Sequence, residues 1–121
     1  MKEFEMTLAV RRLVPDDFEP DLLLPAASFR MSTSASKELG LERFEDDLDF
    51  YSAAFFRVGT TLASVQRHDG SPEDEYSIFV DTANASVARS VAHALIEALD
   101  VSQSTVSWDD LRANFRQVRL A

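Results

Sequence analysis

The sequence predicts an α+β domain: an antiparallel sheet of four or five strands with two main helices packed on one face. Three observations predict it. Val58-Gly59-Thr60-Thr61 carries glycine at the first central position of a two-residue loop, the signature of a type II′ hairpin turn. Period-two alternation of apolar residues dominates up to residue 81, and spacings of three and four dominate after it. Strands that precede helices along the chain, instead of alternating with them, argue against a doubly wound sheet.

The first strand is read over Phe4 to Leu13, where Phe4, Met6, Leu8 and Val10 alternate with Glu5, Thr7 and Arg11 until Pro15 ends the pattern. The acidic, proline-punctuated run from Asp16 to Asp21 reads as a loop. Ala27, Phe29, Met31 and Thr33 then alternate with Ser28, Arg30 and Ser32, a second strand. Ser32 to Ser36 is a Ser/Thr-rich run and reads as a helix entry, with Lys37-Glu38-Leu39 forming a turn or two that stop at Gly40.

The glycine turn at Gly59 fixes the register of the central hairpin. Val58 faces Thr61, Phe56 faces Ala63, Ala54 faces Val65 and Ser52 faces Arg67 on the face expected to meet the core. On the opposite face Arg57 pairs with Leu62, Phe55 with Ser64, Ala53 with Gln66 and Tyr51 with His68. A competing helical stripe runs through Leu41, Phe44, Leu48, Tyr51, Phe55 and Val58. The strand is preferred because aromatic residues fill the run before an immediate turn signal. The breaker-rich segment His68 to Glu75 reads as a loop, and Tyr76, Ile78 and Val80 mark a third strand.

Asn84 is suited to cap a helix from about Ala85 to Leu99, with Val87, Val91, Leu95 and Leu99 as its stripe, thickened by Ala88, Ala92 and Ile96. Arg89, His93 and Glu97 share its solvent side. Ser104-Thr105-Val106 reads as a short edge strand. Ser107 opens a closing helix through a Ser-x-x-acid capping box completed by Asp110, with Trp108, Leu111, Phe115 and Val118 as its buried line and Arg112, Arg116 and Arg119 on a second, basic line. The core is expected to gather Phe56, Val65, Val91, Leu95 and Phe115.

With 121 residues, 45% hydrophobic content, nine Phe and three Gly, the chain reads as a single ordered domain, 1–121. Zero Cys removes disulfides, thiolate nucleophiles and Cys-ligated metals. The N-terminus lacks the apolar run of a signal peptide and no stretch approaches the ~20 apolar residues of a membrane span, so the expectation is a cytoplasmic protein. A net charge of −9, spread over both halves, repels nucleic acid and anionic membranes and favours a basic protein partner. The bland account of the same charge is solubility.

Chemistry-bearing motifs are missing from the sequence. It has no glycine-rich phosphate loop, nucleophile elbow, paired-His zinc motif or dinucleotide fingerprint, so no cofactor and no metal are expected. The carboxylates from Glu42 to Asp49 lack the spacing and turn glycine of an EF-hand loop. His68 and His93 are the only imidazoles, on elements of different type, and no nucleophile is singled out.

The function expected from this is non-enzymatic: an acidic protein-interaction module of the immunity, antitoxin or adaptor type. Its contact surface is placed at Tyr51, Phe55 and Leu62, three large side chains on the hairpin face opposite the helices, ringed by Asp46, Asp47, Asp49, Glu73, Asp74 and Glu75. The alternatives are a self-associating domain, a homodimer meeting through the same three residues, and a ligand-binding or enzymatic domain using His68 and Tyr51. The apolar face has an intramolecular alternative too: the first strand or the 16–25 segment folds over it and closes a second small core.

Overall fold

The computed structural model describes residues 9–20, 23–32, 37, 39–45, 50–68 and 74–108. Seven strands form one antiparallel sheet: β1 (Val10–Leu13), β2 (Leu24–Arg30), β3 (Glu42–Glu45), β4 (Phe50–Val58), β5 (Thr61–His68), β6 (Glu75–Val80) and β7 (Ser107–Trp108). Their order across the sheet is β1-β4-β5-β6-β2-β7, and β3 also pairs with β4. Because β1 pairs with residues 55–58 of β4 and β3 with residues 50–53, these two short strands lie end to end along the same side of β4. One long helix, α1 (Ala85–Ala98), crosses one face over β2, β6, β1 and β4.

The hairpin forms in the predicted register, pair for pair from Tyr51↔His68 to Val58↔Thr61. Gly59 has φ 61° while Thr60 is not among the described non-glycine residues with positive φ, which is the pattern of a type II′ turn. The Gly59 amide is also tied to the Ala9 carbonyl at 3.0 Å, joining the turn to the start of β1. A β-branched side chain is poorly tolerated at such a φ. Gly59→Val is therefore expected to lower stability by about 2 kcal/mol, read as a lower urea midpoint at unchanged m value; an unchanged midpoint contradicts the turn.

Under α1 the sheet presents Ala27, Phe29, Ala54, Phe56, Val58, Ala63, Val65, Tyr76, Ile78 and Val80, all buried. The helix answers with Ala88, Val91, Ala92, Leu95 and Ile96. Alanines on both sides let the helix backbone approach the sheet closely, while Val, Ile and Phe fill the space between them. Phe56, Val65, Val91 and Leu95 are buried together as predicted, and Phe115 lies outside the described residues. Val87 does not belong to the stripe: it is 39% exposed in the first turn. The stripe is instead centred on Ala88, Val91, Ala92, Leu95 and Ile96, which share one side of the helix at three- and four-residue steps.

Both ends of α1 are capped by local chemistry. Asn84 Oδ1 accepts a hydrogen bond from the Val87 amide at 3.0 Å, as its side chain predicts. At the other end Asp100 takes φ 58°, the Val101 amide reaches the Ile96 carbonyl and the Asp100 amide the Glu97 carbonyl, each at 3.1 Å. This is a Schellman arrangement with aspartate in the position that glycine usually holds. The short turn before Gly40 also forms as expected. Lys37 and Leu39 are helical, Gly40 has φ 69°, and Arg12 of β1 donates to the Leu39 and Gly40 carbonyls, fastening this turn to the sheet.

The expected architecture of four or five strands and two main helices is corrected by the sheet and by its last strand. Seven strands are present and one long helix is found among the described residues. The carboxylate-rich stretch that begins at Glu42 contains β3, whose single apolar residue, Phe44, is too little for an alternation to register. Ser107 and Trp108, expected to open a closing helix, instead pair with β2 as Ala27↔Trp108 and Ser28↔Ser107. The edge strand expected at Ser104–Val106 is a 3-10 turn at Gln103–Thr105, where the Thr105 hydroxyl bonds the Ser102 carbonyl at 2.9 Å and competes with strand pairing. Leu111, Val118, Arg112, Arg116 and Arg119 lie outside the described residues, as do Phe4, Met6, Leu8, Thr33 and Leu48.

The strand read over Ala27 to Thr33 begins earlier, at Leu24. A register shift between Pro25 and Ala27 leaves Ala26 as an extra residue, a bulge next to a proline that has no amide to give to the ladder. At residues 42–45 and 50–58 the strand reading, not the helical stripe, is the one observed.

Candidate functional site

The face of the sheet opposite α1 is built in rows, because residues paired across neighbouring strands share a face. Leu13, Phe55, Ser64, Phe79 and Pro25 form one row across β1, β4, β5, β6 and β2. The next row holds Glu42, Ala53, Gln66, Ser77, Ser28 and Ser107. A third row, at the β3–β4–β5 end, consists of Phe44, Tyr51 and His68.

The middle of this face is closed to solvent. Phe55 is 7% exposed, Ala53 1%, Ser64 0% and Gln66 8%. Phe18 lies on Phe55 with ring centroids 4.5 Å apart, and Phe44 meets Phe55 edge-on at 5.5 Å. Phe18 follows a 3-10 turn at Pro15–Asp17, which directs the chain from the end of β1 back over the sheet. The intramolecular alternative is thus realised at Phe55, through the 16–25 segment. Gln66 and Ser64 satisfy one another, the Gln66 amide donating to the Ser64 hydroxyl at 3.0 Å, so their burial leaves no polar atom without a partner among the described residues.

The three side chains expected at the centre of a contact surface are not brought together as one patch. Tyr51 and Leu62 stand at opposite ends of the hairpin, about 20 Å apart for the six-residue step from Leu62 to His68 along β5. Phe55 lies between them and is buried. Tyr51 is half-buried in the end row, and Leu62 is half-buried beside the Gly59 turn. The acids separate in the same way. Asp74 is bound to Arg30, whose Nη1 donates to both carboxylate oxygens at 2.8 and 2.9 Å, and its carbonyl accepts from the Met31 amide at 2.9 Å. Glu75 is half-buried opposite Arg30 in the β2–β6 ladder. Asp46, Asp47, Asp49 and Glu73 lie outside the described residues.

What the structure does bring together is a ladder of rings. Phe44 stacks on Tyr51 and Tyr51 on His68, each pair with centroids 5.5 Å apart and planes within 30° of parallel. All three are half-buried. At the same end of the sheet, on the α1 side, Phe50 is 42% exposed with the Arg43 guanidinium 4.9 Å from its ring centre. Glu42 and Glu45 of β3 are exposed beside both. The aromatic and acidic character therefore concentrates at one end of the sheet, where β3 covers the first half of β4.

Sequence reasoning found the Tyr51–His68 contact from the hairpin register but missed Phe44, Phe50 and Phe18. A lone phenylalanine in an acidic, proline-bounded loop, as in Pro15-Asp16-Asp17-Phe18-Glu19-Pro20, was the available signal for an anchor, because such a segment has no other apolar residue to hold it down. Among the described residues no group of three or more His, Asp or Glu side chains is placed to hold a metal ion. His93 and Glu97 approach to 3.8 Å on the exposed side of α1, and Arg89 lies 3.9 Å from the centre of the Trp108 ring, fastening the helix to β7. No helix among the described residues is long and apolar enough to cross a membrane. Comparison with protein-family models, with curated proteins and with solved structures finds no match.

Proposed function

We propose that this protein is a non-enzymatic, acidic interaction domain that binds a basic protein partner at the β3–β4–β5 end of its sheet. The observation that carries the reading is the ring ladder Phe44–Tyr51–His68, half-buried, with the exposed carboxylate of Glu42 on the same face and that of Glu45 beside Phe50 on the other face of the same strand end. Aromatic side chains at a surface with a charged border have the composition of an interface: the rings supply apolar area at low entropy cost, and the border sets partner choice and approach rate. The overall charge of −9 adds long-range attraction for a basic protein. Phe55 is no part of this contact surface, since Phe18 already covers it.

A basic protein fits this end better than a second copy does, because two chains that each carry −9 repel one another at long range. The test is site-specific photo-crosslinking in the cells that make the protein, with a photoreactive phenylalanine at Tyr51 and, as control, at the exposed Val87 of α1. The expected result is one discrete adduct from position 51, absent from position 87 and lost on Glu42→Arg with Glu45→Arg. No adduct from position 51, the same adduct from both positions, or an adduct of twice the chain mass overturns the proposal.

A further inference from the structure

We draw no further inference here: the strongest candidate, the ladder of stacked rings at the β3–β4–β5 end of the sheet, belongs to the surface already proposed, both faces of the Tyr51 ring are taken by Phe44 and His68, and nothing among the described residues shows what covers the ring edges.

Discussion

Phe56→Ala is expected to cost about 3–5 kcal/mol, the usual range for removing a buried aromatic ring. Phe56 is 5% exposed at the centre of β4, on the α1 side, between the β1 and β5 ladders, where it faces Arg12 and Ala63. Its ring carries the Arg12 guanidinium at 5.6 Å, and the same guanidinium holds the Leu39 and Gly40 carbonyls. Truncation therefore opens a cavity under the helix and removes the surface on which Arg12 lies. Since small domains are stable by only about 5–15 kcal/mol, the variant should unfold at a much lower denaturant concentration. An unchanged midpoint contradicts the packing of β4 against α1.

Phe55→Ala, one residue along and on the other face, is expected to cost about 3 kcal/mol. Neighbouring positions on a strand that faces solvent on one side respond very differently, the outward one changing stability by no more than about 0.5 kcal/mol. Here both are costly, because Phe55 is enclosed by Phe18 and Phe44. The pair of substitutions thus reads directly whether β4 is buried on one face or on two. A Phe55→Ala protein as stable as the parent would mean that the ring is an exposed contact residue and that the second small core does not exist.

The legible part of the fold is the part whose determinants are local. Gly59 dictates the turn, and the turn dictates every pair from Tyr51↔His68 to Val58↔Thr61. Asn84 announces α1 because its side chain bonds an amide three residues on, and Gly40 ends the preceding turn because it alone there adopts positive φ at little cost. The illegible parts depend on partners distant in sequence. β3 is a strand because β4 offers it an edge, not because Glu-Arg-Phe-Glu prefers to be extended. Ser107-Trp108 satisfies a capping pattern as well as a strand, and the choice falls to pairing with Ala27 and Ser28, some eighty positions earlier in the chain.

The candidate site was legible in the same measure. Tyr51 and His68 were paired from the register, whereas Phe44 entered the ladder only through β3, which alternation did not reveal. Tyr51, Phe55 and Leu62 share a face, as the period of two requires, but sharing a face does not make a patch. Their separation along the hairpin and the arrival of Phe18 are tertiary facts, and no local pattern encodes where a loop phenylalanine will land.

The central claim is that the chain closes its own second face at Phe55. A double-mutant cycle on Phe18→Ala and Phe55→Ala, followed by urea unfolding, tests it most directly. Rings 4.5 Å apart should show a coupling of about 0.5–1.5 kcal/mol beyond the sum of their separate effects. Strict additivity, with Phe18→Ala leaving stability unchanged, would contradict the account and return Phe55 to the exposed surface.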